Sequence, residues 1–411
     1  MPEFLTLVPP AEALNRLLDN LPPGPIGVET LPVPAALDRV VTQTVLAVEP
    51  LPAFSRSTVD GYAVLAPDTH GASETLPAYL KILGEVGMGS APKFRIARGS
   101  TALIHTGGML PPGADAVVML EYTQQARPGE IEILRPVASG ENILLPGEDV
   151  QPGQVLIPAG HTLRPVEIGG LMAQGLATVV VSRRPRVAII SSGDELISPE
   201  CTPAPGQVRD INSYSLAALV QKHGGEPVLC GIVPDRPEAL AEELRRVLPE
   251  ADLTLVTAGS SASTRDFTAS VIQQIGAPGV LVHGVNVKPG KPTILAVCDG
   301  KPIIGLPGNP VSALVIAELF VAPVIHRLLG RIPPQVGSIQ ARLTANLPSQ
   351  AGREDYFPVR LTAQSGTLQA EPIFFKSNLI FSLSGADGLV CIPADATGLA
   401  AGEWVDVRMM L

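Results

Sequence analysis

HGVNVKPGKPTILAVCDGKPIIGLPGNPVSAL, residues 283–314, places two lysines, Lys288 and Lys291, on a turn made of Pro289, Gly290 and Pro292. Apolar strand patterns follow at Thr293–Val297 and Pro302–Leu306. A second turn, Leu306-Pro307-Gly308-Asn309-Pro310, then opens an apolar helix running to Leu329. Asn309 suits the N-cap and Pro310 the first helical position. A cationic turn beside a helix N-terminus is a physical recipe for holding anions.

Working outward, the same alternation extends upstream. Strand patterns at Arg186–Ser191, Pro227–Val233, Leu253–Thr257 and Val280–Val285 are interleaved with helix patterns at Ser213–His223, Arg236–Leu248 and Phe267–Ile275. Apolar strands alternating with amphipathic helices predict a mainly parallel sheet covered on both faces. The ligand crevice of such a sheet lies beyond the carboxyl ends of its strands. Three loops fall there: Ser191–Leu196, Ala258–Asp266 and Leu306–Pro310.

The flanks differ. A helix is expected over Pro10–Asn20, followed by a proline-rich break. Residues 50–145 carry short apolar runs between Gly/Pro turns, the pattern of a small barrel or sandwich. Residues 146–182 give turn, strand, turn and a helix over Pro165–Gly175, and residues 333–411 return to short strands. The expected organisation is a discontinuous α+β domain (1–48 with 146–182), an inserted β domain (49–145), an α/β domain (183–331) and a C-terminal β domain (332–411). The fold class is therefore α/β plus β, multidomain.

Composition narrows the function. The chain has 411 residues, 45% hydrophobic and 17% charged, enough for buried cores. A net charge of −10 argues against a bulk nucleic-acid surface, so an anionic ligand has to be met by local groups. Pro, Gly or a charge interrupts each apolar run before it reaches a membrane span, and Met1–Leu14 has neither a basic start nor a signal-like core. A cytoplasmic location is expected. The four cysteines are scattered, which fits reduced thiols rather than a disulfide or zinc framework.

Five further segments carry candidate chemistry. Asp60, in Ser57-Thr58-Val59-Asp60-Gly61-Tyr62, suits Mg²⁺ or substrate orientation, or else a plain Asp-Gly turn. Thr106-Gly107-Gly108 offers backbone N–H groups to an oxyanion, or is an ordinary strand-to-turn passage. Gly147-Glu148-Asp149 puts two acids in a turn. Asp194 and Glu195 follow the first α/β strand, where carboxylates suit Mg²⁺ shared with substrate phosphates, or a helix start. The loop from Ala258 to Asp266 is rich in hydroxyls, and Asp266 is placed to cap a helix or ligate a metal. The chain has no P-loop motif, no dinucleotide-binding glycine fingerprint after a strand and no nucleophile elbow.

In this order the segments STVDGYAV, IHTGGMLPPGADAVV, GENILLPGEDVQPGQVLIPAG, RPRVAIISSGDEL, GQVRDINSYSL, VKPGKPTI and GLPGNPVSAL resemble the molybdopterin molybdenumtransferase family (MoeA; the E domain of gephyrin is similar). The resemblance implies a transferase that inserts molybdate, or tungstate, into adenylylated molybdopterin. Pyrophosphate cleavage there releases AMP and requires a divalent metal, usually Mg²⁺. It also implies an elongated homodimer, with molybdoenzymes or their chaperones receiving the product. Carried over by motif, Asp60, Thr106, Glu195 and Asp266 are expected to be catalytic. Asp60, Asp149, Glu195, Asp252 and Asp266 are expected to serve the metal. Gly259, Ser261, Lys288, Lys291, Pro307, Gly308, Asn309, Pro310, Arg353 and Ser377 are expected to bind substrate. One departure stands out: Ala258 and Ser263 occupy positions where the family has glycine, which bears on substrate pose and on molybdate versus tungstate. Two rivals remain open at this stage, a non-catalytic gephyrin-like scaffold and an enzyme sharing only the α/β domain.

Overall fold

The computed structural model describes residues 6–258, 262–332, 338–364 and 366–409. The chain divides into two compact units, one of Met1–Gln43, Ala159–Pro165 and Thr178–Leu411, the other of Thr44–Pro158 and Val166–Ala177.

The first unit is built on a six-stranded sheet. Its strands are β1 (Arg186–Ser192), β2 (Glu226–Val233), β3 (Leu253–Ala258), β4 (Pro278–His283), β5 (Ile294–Cys298) and β6 (Lys301–Pro307). They lie in the order β2-β1-β3-β6-β5-β4. The β2–β1, β1–β3 and β3–β6 pairings are parallel, whereas β5 runs antiparallel to both its neighbours. The reversal has a local cause. Asp299 (φ 53°) and Gly300 (φ 80°) form a two-residue hairpin loop, and two consecutive positive φ values are what such a tight turn requires. The Asp-Gly pair signals this in the sequence, so the expectation of strands at Thr293–Val297 and Pro302–Leu306 holds, with antiparallel pairing between them.

Burial follows the strand period of two. Val187, Ile189, Leu253, Leu255 and Ile304 face one core, with helix α1 (Asn212–Lys222) and the final helix. Ala188, Ile190, Val256 and Ile303 face the other, with α2 (Pro237–Val247) and α3 (Ala262–Ile275). Because both faces are covered, the strands are nearly continuous apolar runs rather than alternating ones.

The final helix, α4, runs unbroken from Pro310 to Leu329 through a π-helical stretch at Ala317–Val321. By length and composition it passes as a membrane span, yet 72% of its most apolar window is buried within the fold. Glu318, Pro323 and His326 within it did not break the helix. Its apolar surface goes into the core, with Phe320 fully enclosed.

Residues after α4 close a five-stranded barrel from β7 (Ile339–Leu343), β8 (Glu354–Gln364), β9 (Thr367–Pro372), β10 (Gly388–Ile392) and β11 (Trp404–Met409). The ring closes because β8 pairs with both β9 and β10. Its interior holds Leu343, Val359, Ala370, Val390, Ile392 and Val407. The short segment Val287–Lys288 adds to this barrel in parallel, opposite Glu354 and Asp355. Also in the first unit, Val28–Pro32 pairs antiparallel with Thr178–Ser182.

The second unit carries its own six-stranded sheet. Its order is Ala116–Met119, Gly61–Val64, Ser100–Ile104, Ala78–Glu85, Glu130–Ile133, Thr123–Arg127. Val64, Ala116, Val118, Ile131 and Ile133 form one side of its core.

Candidate functional site

The Lys288/Lys291 turn is the tip of the hairpin between β4 and β5. Three bonds hold it: Val285 N–H donates to the Lys291 carbonyl (2.9 Å), Gly284 N–H to the Thr293 carbonyl (2.9 Å), and the buried Thr293 hydroxyl to the Gly290 carbonyl (2.7 Å). Gly290 has φ 116°, and a Cβ on it would meet Ile316 of α4 at 2.4 Å. Only glycine lets this turn lie against the helix. The backbone under the lysines is therefore fixed, as its proline and glycine content suggests.

Beside it, the Pro307–Pro310 turn carries the chain from β6 into α4. Asn309 occupies the N-cap position with extended backbone (φ −69°, ψ 125°), but its side chain does not cap. Instead its Nδ2 donates to the Ser377 hydroxyl at 3.0 Å. The Val311 N–H, in the first turn of α4, donates to the Ser377 carbonyl at 3.1 Å. Ser377 does what the sequence assigns to the Asn309 carboxamide. Asn212, at the start of α1, holds the turn from beneath by donating to the Gly308 carbonyl at 2.8 Å.

These turns and the barrel border a half-open cavity of about 610 Å³. Its wall includes Lys288, Lys291, Pro307, Gly308, Asn309, Arg353 and Ser377, seven of the expected substrate-binding residues. Pro310 sits buried behind them at the start of α4. Sequence reasoning missed Asn286, Ser312, Gln350, Tyr356, Phe357 and Phe375, which also line it. No local motif marks these, because they converge only when the barrel packs against the hairpin. Phe357 and Phe375 meet edge to face, with centroids 6.2 Å apart. Burial, with Cys391 and the Glu354 carboxylate near its hydroxyl, pushes the Tyr356 phenol far above its ordinary range, so it stays protonated.

The electrostatics are one-sided. Among the described residues, Lys288, Lys291 and Arg353 line the cavity and no acidic residue does, in a chain of net charge −10. Asp355 on β8, which meets Lys288 and Arg353, is fully buried behind the wall. Arg353 Nε donates to its Oδ1 at 2.8 Å, and Lys288 Nζ lies 3.6 Å from its Oδ2.

The expected acids fall elsewhere. Glu195 is exposed, next to exposed Asp194, on the loop after β1, and is not part of the cavity wall. Asp252 lies at the amino end of β3, away from the carboxyl ends where the crevice forms. Both its oxygens are engaged by Arg183 at 2.9 Å, and one also accepts the Arg186 N–H at 2.7 Å. It is a structural pin rather than an available ligand. Gly259 and Ser261 lie outside the described residues. The backbone of Asp266 belongs to α3, and its side chain lies outside the described residues.

In the second unit, Asp60 accepts the Thr106 N–H at 2.9 Å. Gly107 N–H donates to the Ser57 carbonyl and Gly108 N–H to the His105 carbonyl, each at 2.8 Å. All three N–H groups are thus internally paired, as in an ordinary strand-to-turn passage, and none is free to cradle an oxyanion. His105 bridges Glu85 (2.8 Å) and Asp60 (3.4 Å), and these carboxylates raise its pKa, Glu85 most. Asp149 is exposed in a turn stabilised by Glu148, which accepts the Leu145 N–H. Among the described residues, no group of three or more His, Cys, Asp or Glu side chains gathers as a metal site.

Three family models cover the chain in succession: the MoeA N-terminal region (domain I and II) over residues 8–175, a "probable molybdopterin binding domain" over 188–327, and the MoeA C-terminal region (domain IV) over 340–409. A molybdopterin molybdenumtransferase from Nostoc is 35% identical over 92% of this chain and 87% of its own length. The chain belongs to the molybdopterin molybdenumtransferase (MoeA) family. The Bacillus subtilis enzyme of the same name is 30% identical over the whole chain and 96% of its own length. The molybdopterin biosynthesis MoeA protein of Pyrococcus horikoshii superposes with a TM-score of 0.86 at 33% identity, covering 98% of this chain and all of that one. The matches over 8–175 and 340–409 separate this MoeA-family chain from proteins that share the α/β domain alone.

Proposed function

We propose that this protein inserts molybdate, or tungstate, into adenylylated molybdopterin with release of AMP, completing molybdenum cofactor biosynthesis. The observation that carries this reading is the 610 Å³ cavity, lined by Lys288, Lys291 and Arg353 with no acid among its described wall residues. Lysine supplies a mobile point charge and arginine a planar fork, and together they suit a compact oxyanion. The Ser377 and Ser312 hydroxyls and the Asn309 carboxamide supply neutral polar contacts at the N-terminus of α4, whose dipole also favours negative charge. Phe357 and Phe375 provide an apolar wall for the organic part of the substrate.

Mg²⁺ fits this chain as an ion shared with substrate rather than one caged by protein. Glu195 and Asp194, exposed at the carboxyl end of β1, are the donors of the α/β domain that would hold it together with phosphate oxygens. When bound, it supplies neutralisation of charge on the phosphoryl oxygens. Assembly as a homodimer in the cytoplasm, with a molybdoenzyme or chaperone as recipient, belongs to the same proposal.

Two measurements test it. Calorimetric titration with molybdate and tungstate is expected to show binding that weakens about tenfold or more in Lys291→Ala and in Arg353→Ala, the loss of one charge-assisted contact. Reconstitution with adenylylated molybdopterin, Mg²⁺ and molybdate is expected to release AMP. Absence of AMP release from the folded protein overturns the proposal.

A further inference from the structure

Asp355 lies outside every motif that carries the family resemblance, yet it is the counter-charge of the cavity. It is fully buried on β8, and its two oxygens face cations from two different parts of the fold. Oδ1 takes the Arg353 Nε at 2.8 Å, and Oδ2 lies 3.6 Å from Lys288 Nζ at the hairpin tip. The backbone reinforces the arrangement, because Lys288 is in parallel register with Asp355 itself. Lys288 is half exposed and Arg353 partly so, and both line the cavity, while Asp355 does not. The wall therefore presents positive charge, and the carboxylate that pairs with Lys288 and Arg353 is held behind it.

We propose that Asp355 is a specificity-determining residue, a built-in counter-anion that limits how far the cavity prefers a doubly charged over a singly charged tetrahedral oxyanion. This rests on the oxyanion reading above. The wall cations attract a dianion such as molybdate or tungstate more strongly than a monoanion, and the buried carboxylate behind Lys288 and Arg353 reduces that difference. A unit change in the charge of the site acts on a dianion about twice as strongly as on a monoanion of the same shape. A residue that only holds its neighbours in place affects both anions alike. The ratio of the two affinities therefore separates the charge-setting role from a structural one.

The probes are tungstate and perrhenate, tetrahedral oxyanions of similar size carrying two charges and one. Wild-type binding of tungstate, measured by calorimetry, establishes the oxyanion site; its absence overturns the oxyanion reading, whatever the variants do. Given that binding, Asp355→Asn is expected to raise the tungstate-over-perrhenate preference about threefold or more, even if both absolute affinities change. Asp355→Glu keeps the charge and is expected to retain the wild-type preference. A preference unchanged in Asp355→Asn overturns the inference. Since Asp355 is buried, a paired variant guards against misfolding: Lys288→Gln with Asp355→Asn removes one charge of each sign. The double variant leaves Arg353 without its carboxylate, but Arg353 is partly exposed, so no fully buried charge is stranded. This double variant is expected to keep the wild-type preference within about twofold, whereas Lys288→Gln alone lowers it. A double variant that matches Lys288→Gln alone also overturns the inference.

Discussion

Gly290 shows how tightly a single residue can constrain this site. Its φ of 116° is a strained region for any side chain, and a Cβ there would come within 2.4 Å of the fully buried Ile316. Gly290→Ala is expected to cost about 1–3 kcal/mol of stability from backbone strain and overpacking. A urea midpoint equal to wild type would refute this. The glycine and its flanking prolines were legible as a fixed turn from the sequence, because their conformational limits are properties of the residues themselves. The role of Ser377 was only half legible. That it serves substrate binding follows from the family resemblance, but that its backbone and hydroxyl take over the α4 start depends on where the barrel sits. Asp252 shows the opposite failure: an acid before an apolar strand resembles a ligand in sequence, whereas Arg183 and the Arg186 N–H occupy it in the fold.

At the scale of elements, α4 combines a core function with a buried charged cluster. His326 near its C-terminus is pushed down to about 4, by burial first and then by Arg331 and His223, with Glu318 opposing and Arg408 adding a small push in the same direction. Glu318, in the π-helical stretch, is brought down to about 2. Burial opposes this, but His223 and Lys222 outweigh it. The sign is the same for both groups: the unfolded chain binds protons that the folded one rejects, so stability falls as pH falls. For His326 the stabilisation is fully present above its ordinary value of 6.5 and is lost as pH drops towards 4. The loss over that window is expected to reach about 3 kcal/mol. Urea unfolding across pH 4–7 checks it, and His326→Gln should flatten the slope; an equally steep slope in the variant would exclude His326 as its source. The helix itself was evident from its apolar run, and β1, β3 and β6 from theirs. The antiparallel β5 needed the Asp299-Gly300 turn to be weighed against the prevailing alternation of strands and helices. The cluster of His223, Glu318 and His326 gave no sequence signal, because α1 and α4 meet only through the core.

For the molecule as a whole, the candidate chemistry is spread over two compact units. The oxyanion cavity lies in one, and Asp60 with Thr106 in the other. If the proposed function holds, binding and turnover are separable by mutation. Asp60→Ala frees an exposed Thr106 N–H, a loss of about 1 kcal/mol at most. It is expected to leave tungstate affinity in the cavity within twofold while lowering AMP release by about a hundredfold or more. Wild-type AMP release in this variant would remove Asp60 from the reaction. The sequence by itself determined the α/β class, the β character of residues 50–145 and 338–409, the anion-holding turn and the family. Each of these rests on local periodicity, on the torsional limits of Gly and Pro, or on contiguous motifs. Only the tertiary structure decided that the barrel closes over the hairpin and that Asn212 and Ser377 brace the Pro307–Pro310 turn. It also decided that Asp355 stands behind the cations and that the Thr106–Gly108 amides are already paired. Those outcomes depend on contacts between residues far apart in the chain, which packing of the cores selects and no local pattern encodes.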